Sequence, residues 1–201
     1  MNVGIIQTGQ NNIDAWKNIL FEKGIEGYEI NSKKSFQENK HDLLIMPGVG
    51  SFDSGVRSLK EKNIFDEIKK WGNDNNPILG VCLGFQLMFD GSEEGSESGL
   101  SFVNGLCRRF NGNTPVPRME WGEINWVESK RFHSDFDNER YFFVHSYYAP
   151  RNKFEIAVSN YQQNYCVGIK KGNIIGFQFH PEKSHVFGDN LLDKIISYYG
   201  S

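Results

Sequence analysis

Ile78-Leu79-Gly80-Val81-Cys82-Leu83-Gly84-Phe85-Gln86-Leu87-Met88-Phe89 enters after Pro77 as an apolar run, turns at a cysteine held between two glycines, and leaves at helix-like spacing. The pattern predicts strand, tight turn and helix, with Cys82 on the turn. A side chain on such an elbow sits on a cramped backbone, so its neighbours must lack bulk, and Gly80 and Gly84 supply that. The sulfur would then face the start of a helix, where free amides and the macrodipole favour thiolate over thiol. A buried strand cysteine with glycines for close packing fits the same letters.

The far end of the chain favours reactivity. Ile174-Ile175-Gly176-Phe177-Gln178-Phe179-His180-Pro181-Glu182 is a second strand-like run that delivers a histidine and a carboxylate as the strand stops. A cysteine nucleophile needs a base, and the base needs an orienting group. His180 and Glu182 share a face if the strand continues, whereas Pro181 is equally suited to a turn. An oxyanion formed at Cys82 needs donors, for which the amide of Leu83 and an amide from Pro47-Gly48-Val49-Gly50 are candidates. This is equipment for acyl transfer through a thioester. The acyl donor is not named by it.

Composition narrows the field. The 201 residues suffice for one domain with a sizeable core, read as a single unit over 1–201. A formal charge of -3 with acids and bases interspersed offers no basic patch for nucleic acid or acidic lipid. No apolar run approaches the roughly 20 residues of a membrane span, and Met1-Asn2-Val3-Gly4-Ile5-Ile6 lacks the features of a signal peptide, so the cytoplasm is the expected compartment. Cys82, Cys107 and Cys166 are odd in number and lack CxxC spacing, so neither a disulfide framework nor a metal site is suggested, and no cofactor is called for. Cys107 and Cys166 read as buried fillers.

Along the chain, Val3 to Ile6 reads as a strand, and Ile13, Trp16, Ile19 and Leu20 as the apolar side of a helix that Gly24 stops. Thr8-Gly9-Gln10-Asn11-Asn12 between them lies where open α/β sheets meet ligands and partners, or is a plain turn with Asn12 as helix cap. After a strand around Tyr28 to Ile30, Leu43-Leu44-Ile45-Met46 runs into Pro47-Gly48-Val49-Gly50-Ser51-Phe52, which is suited to anion binding or simply to a turn. Val56, Leu59, Phe65, Ile68 and Trp71 continue at helical spacing. Ser92 to Gly99 is acidic and glycine-bearing, an exposed loop close enough to the elbow for one carboxylate to reach it. From Phe102 to Tyr148, short runs (Val103 to Phe110, Glu123 to Val127, Tyr141 to Val144) predict an antiparallel patch, with 130–138 as an exposed loop. Leu191, Leu192, Ile195, Ile196 and Tyr199 fit a closing amphipathic helix. The expected fold is a single α/β domain whose mixed, mainly parallel central sheet is flanked by helices and carries an appended antiparallel patch.

Gly80-Val81-Cys82-Leu83-Gly84-Phe85-Gln86, taken with Phe177-Gln178-Phe179-His180-Pro181-Glu182-Lys183-Ser184, resembles the class I glutamine amidotransferases. Pro47-Gly48-Val49-Gly50-Ser51-Phe52 and Phe143-Val144-His145-Ser146-Tyr147-Tyr148 are similar to the glutaminase subunits of imidazole glycerol phosphate synthase within them. The resemblance runs over nearly the whole chain. It implies hydrolysis of glutamine and delivery of the ammonia to a (β/α)8-barrel synthase subunit, in a heterodimer serving histidine biosynthesis. It further implies Cys82, His180 and Glu182 as a triad and Val49 and Leu83 as oxyanion donors. Gly50, Gln86, Glu94, Ser146 and Tyr147 would surround the glutamine, with Glu94 suited to the substrate's ammonium.

The chain also departs from that pattern. The family's Pro-His-Met-Gly-Trp-Asn reads Pro117-Arg118-Met119-Glu120-Trp121-Gly122 here, and its Gly-Asn reads Asn11-Asn12. In the family both segments face the synthase, so Asn12, Arg118, Glu120, Trp121 and Lys183 are expected at the partner interface. Fixed charges on Arg118 and Glu120 predict a divergent partner there unless the two pair with each other. Such a partner would suit a paralogue supplying ammonia to amidinate a surface-polysaccharide sugar. A cysteine peptidase-like hydrolase and a non-catalytic binding subunit are the rival classes; Gln86 and the Pro47 loop argue against the first, and the complete triad against the second.

Overall fold

The computed structural model describes residues 1–9, 11–111, 114–127, 132 and 139–200. The first half alternates strand and helix: β1 (Asn2–Ile6), α1 (Ile13–Glu22), β2 (Glu26–Ile30), α2 (Lys33–Glu38), β3 (Leu43–Met46), α3 (Phe52–Glu61) and α4 (Phe65–Asn73). The elbow follows as β4 (Ile78–Val81) and α5 (Leu83–Gln86), then β5 (Phe89–Ser92), β6 (Val103–Arg109), β7 (Arg118–Glu123), β8 (Asn125–Trp126), β9 (Arg140–His145) and β10 (Tyr147–Tyr148). The chain returns through β11 (Glu155–Asn160), β12 (Asn164–Lys171) and β13 (Ile174–Phe177), makes a 3₁₀ turn (Pro181–Lys183), and ends in α6 (His185–Gly200).

The main sheet has eight strands in the order β2-β1-β3-β4-β13-β12-β11-β8. From β2 to β13 neighbours run parallel, and from β13 to β8 they run antiparallel. Side-chain alternation divides the core between its faces. Leu79 and Val81 point to the face covered by Trp16 and Leu20 of α1 and Leu191 and Ile195 of α6; Ile78 points to the face covered by Val56 and Leu59 of α3 and Ile68 of α4. Burying each of the aliphatic side chains among these contributes about 1.5–3 kcal/mol, so both helical layers are held chiefly by their apolar stripes.

The mixed sheet and its helices agree with the expected fold, but three local expectations are corrected. The antiparallel part is not one patch: β12, β11 and β8 extend the main sheet, β7 and β9 form a two-stranded ribbon, and β6 pairs antiparallel with β10 but parallel with β5 in a small third sheet. The apolar run after Cys82 is not a helix throughout, because α5 ends at Gln86 and Phe89 already belongs to β5. Of the loop expected at 130–138, only Phe132 is described, and it is buried in the core rather than exposed; the others lie outside the described residues, as does Gln10 of the loop after β1.

The order places the carboxyl ends of β3, β4 and β13 side by side. These are the ends that carry the Pro47 loop, Cys82 and His180, at the edge where doubly wound sheets hold their ligands.

Candidate active site

Cys82 has φ 54° and ψ -105°, a left-handed conformation that strains any residue with a Cβ. Its flanks explain how the turn persists. A Cβ on Gly84 would lie 1.7 Å from the Met46 carbonyl oxygen, and one on Gly80 would lie 2.5 Å from the Met88 methyl. Since Met46 is backbone in the adjacent strand, Gly84→Ala is expected to cost about 3 kcal/mol or more, read as a lowered urea midpoint. The Cys82 amide donates to the Phe177 carbonyl at 2.8 Å, which ties the elbow to β13. The sulfur is 3.8 Å from the Val144 carbonyl oxygen and 3.9 Å from Nε2 of Gln178. With only four residues in α5, few peptide dipoles are aligned behind it. The expected help of a helix terminus is therefore small, and the charge near Cys82 comes instead from His180.

His180 stands just beyond β13, its amide bonded to the Phe142 carbonyl at 2.9 Å. The chain then turns rather than extends, as Pro181 at the first position of the 3₁₀ turn dictates, and the turn folds Glu182 back. Nδ1 of His180 meets Oε1 of Glu182 at 2.7 Å, with the histidine buried and the carboxylate largely so. Nε2 makes no hydrogen bond of ordinary geometry; the group acting on it is the Cys82 sulfur. Burial works against the imidazolium, but the negative charges of Cys82 and Glu182 outweigh it and push His180 up to about 10. The site thus sets the Cys82 sulfur against a histidine whose other nitrogen is anchored by Glu182.

Two cavities flank this pair. One of about 220 Å³ is lined by Cys82 and Leu83 together with Val49, Gly50, Gln86 and Glu94, and is closed by Ser146 and Tyr147. A larger one, of about 650 Å³, touches His180 and Glu182 but not Cys82, and is bounded by Asn12 and Lys183. Of the two, only the smaller is lined by Cys82. Glu94 is half-buried there, and its Oε2 accepts from the Phe52 amide at 2.7 Å, at the start of α3.

The Pro47 loop is fixed from below. The Thr8 hydroxyl donates to the Pro47 carbonyl at 2.5 Å, and a Cβ on Gly48 would lie 2.5 Å from Oγ1 of Thr8. This leaves the Gly48 carbonyl accepting from the Leu83 amide at 3.3 Å. A donor expected to meet an oxyanion is therefore occupied by the loop itself. Val49 is exposed, and Gly50 has φ 110°, which glycine adopts freely.

The residues expected at a partner face separate. Asn12 is exposed and caps α1 through Oδ1, 3.0 Å from the Ala15 amide. Lys183 and Glu120 are exposed, and Trp121 stacks on His185 with ring centres 5.3 Å apart. Arg118 is the correction. It is 1 % exposed, directed into the protein, and bonded to Glu120, Ser159 and Tyr165. Its charge is satisfied inside the fold, so it neither meets a partner nor argues for a divergent one. Among residues that sequence reasoning passed over, Gln178 is wholly buried beside Cys82, and its amide oxygen accepts from Nε2 of Gln86 at 3.0 Å. Its spacing of two from His180 on an extended run was the available signal.

A family model described as "Glutamine amidotransferase class-I" matches residues 8–195. Among curated relatives, imidazole glycerol phosphate synthase subunit HisH 2 of Methanococcus maripaludis is 36% identical over 200 residues, covering 96% of this chain and 98% of its own. Subunit HisH of Haemophilus influenzae is 36% identical over 201 residues, covering 98% and 97%. Among solved structures, a crystal structure of a glutamine amidotransferase superposes with a TM-score of 0.74 at 18% identity, covering 99% of each chain, and that of PurLQS from Thermotoga maritima with 0.72 at 17%, covering 98% of each. At those identities the structural likeness speaks to the fold alone, whereas the family match takes in both the elbow and the His180 strand. A strained cysteine, an anchored histidine and nearly full-length relatives agree: the chain belongs to the class-I glutamine amidotransferases.

Proposed function

We propose that the chain is a glutaminase subunit that hydrolyses glutamine to glutamate and ammonia and passes the ammonia to a (β/α)8-barrel synthase subunit, as in imidazole glycerol phosphate synthase of histidine biosynthesis. The observation that carries this reading is the Cys82–His180–Glu182 alignment at the wall of a cavity sized for a small substrate, in a chain whose relatives bear the synthase-subunit name over nearly their whole length. The Cys82 thiolate attacks the side-chain carbonyl carbon of glutamine, and the carbonyl π pair moves onto oxygen. Leu83 and Val49 amides receive that oxyanion once the Gly48 carbonyl has turned away. The C–N bond then breaks as the His180 imidazolium gives its Nε2 proton to the amide nitrogen. Ammonia leaves, and a γ-glutamyl thioester remains. Water attacks the thioester while His180 takes its proton, and expulsion of the sulfur restores the thiolate and releases glutamate.

Glu182 fixes the imidazole so that Nε2 faces the sulfur, and the Glu94 carboxylate, with Gln86, Ser146 and Tyr147, orients the substrate in this reading. Glu182→Gln is expected to lower turnover about 10²-fold, since its neutral amide stabilises the imidazolium less than a carboxylate does. Steady-state kinetics of the purified variant, with unchanged thermal unfolding, checks this.

The partner would dock over the larger cavity, where Asn12 and Lys183 lie beside His180 and Glu182, and would reach on to the exposed Glu120 and to Trp121. Ammonia released at Cys82 would leave on that side, and glutamine would enter from the other. We assign the whole chain, 1–201, to this one domain and its place of action to the cytoplasm; no helix among the described residues is long and apolar enough to cross a membrane. Assay with glutamine and with peptides tests the reading. Glutamate and ammonia in equal amounts from glutamine, with peptides untouched, is expected; cleavage of peptides but not glutamine would overturn it.

A further inference from the structure

Arg118 heads the fully buried side chains by volume, and buried guanidinium groups need a reason. It sits on β7 opposite His145 of β9. Nε and Nη2 reach Oε1 of Glu120 at 3.1 Å each, Nη1 reaches Oγ of Ser159 at 3.1 Å and the Tyr165 hydroxyl at 2.5 Å, and the group lies 4.0 Å above the Phe143 ring. A Cβ on Gly122 would stand 1.9 Å from Nη2. Arg118, Glu120 and Gly122 therefore form one unit: a buried cation, its counter-ion and the space it occupies.

The unit has a direction. Arginine offers donors only, so the Tyr165 oxygen must accept from it, and the hydroxyl hydrogen is left to point at Nε2 of His145, 3.2 Å away. Nε2 is then an acceptor, and the imidazole proton rests on Nδ1, which donates to the Tyr147 carbonyl at 2.8 Å. Burial, with the nearby charge of Arg118, keeps this histidine neutral, its pKa lowered to about 3. The same carbonyl accepts from Nε2 of Gln86 at 2.9 Å, and Gln86, Ser146 and Tyr147 wall the cavity that holds Cys82.

We propose that Arg118 is a positioning residue for the glutamine site, setting the tautomer of His145 and so holding the Ser146-Tyr147 backbone against Gln86. This rests on the reading of the smaller cavity as the glutamine pocket. With the proton on Nε2 instead, the Nδ1 lone pair would face the Tyr147 carbonyl oxygen, and the wall would be pushed from Gln86 before substrate arrives. Such a change weakens binding of substrate and transition state alike.

The test combines kinetics with ¹⁵N NMR of the histidine-labelled full chain. Wild type is expected to carry the His145 proton on Nδ1, with Nε2 bare. Arg118→Met and Tyr165→Phe are expected to redistribute that proton and to raise KM for glutamine about tenfold with kcat within about threefold. Arg118→Lys, which keeps a charged donor without the fork, should recover part of the KM. Should Arg118→Met fail to fold, Tyr165→Phe cuts the relay while leaving the guanidinium its other partners. An unchanged KM in folded Tyr165→Phe, or a wild-type His145 protonated on Nε2, would overturn the proposal. A wild-type chain inert toward glutamine would instead overturn the glutaminase reading, and the tautomer would then decide the role of Arg118 by itself.

Discussion

Cys82→Ala is expected to reduce glutamine hydrolysis on the order of 10⁶-fold, because nucleophile and base act as a unit and neither replaces the other. The substituted chain should remain folded. Alanine keeps the Cβ that the left-handed turn already accommodates, and the sulfur's polar contacts are long and weak. His180→Ala should be nearly as damaging, since the histidine is proposed to supply the proton that releases ammonia. The measurement is glutamate release by the purified variants with circular dichroism alongside. Turnover within about tenfold of wild type by folded Cys82→Ala would remove the cysteine from the chemistry.

The second large effect belongs to the partner. With the Leu83 amide spent on the Gly48 carbonyl at 3.3 Å, one of the two donors proposed for the oxyanion is occupied in the isolated chain. One such donor is worth on the order of 10²–10³ in rate. Docking of a barrel subunit with its acceptor bound over Gly48 and Val49 is expected to turn that peptide and to raise kcat by this factor, with a smaller change in KM. The glycines at 48 and 50 let the peptide rotate, and the exposure of Val49 lets a partner reach it. Glutaminase rates of the chain alone and with a synthase subunit plus acceptor provide the comparison; full activity of the lone chain, unchanged by any partner, would contradict the account.

The elbow was legible in the sequence because its chemistry is local: a cysteine on a left-handed turn needs Gly84, whose Cβ would strike the neighbouring strand, and the letters state that requirement directly. His180 and Glu182 were legible for a similar reason, as a histidine and a carboxylate placed where an apolar run meets a proline. The extent of α5 was not. Leu87, Met88 and Phe89 are apolar enough to continue a helix, and β5 forms only because β6 is there to pair with it, a tertiary choice that local propensity does not encode. Arg118 was misjudged on stronger grounds. Arginine belongs at the surface by base rate, and its burial depends on Ser159, Tyr165 and Phe143, which are distant in sequence and carry no motif. Its closeness to Glu120 was visible; the direction in which the pair points was not.

Attack of Cys82 on glutamine in the smaller cavity is probed by a glutamine-like electrophile. The chain is incubated with a chloroketone analogue of glutamine, with and without excess glutamine, and the adduct is located by mass spectrometry of peptides. One adduct is expected, on Cys82, which lines the cavity, and not on Cys107 or Cys166, which do not; glutamine should suppress it and His180→Ala should slow it. Absence of an adduct on Cys82, or an adduct there that excess glutamine does not suppress, would contradict that attack.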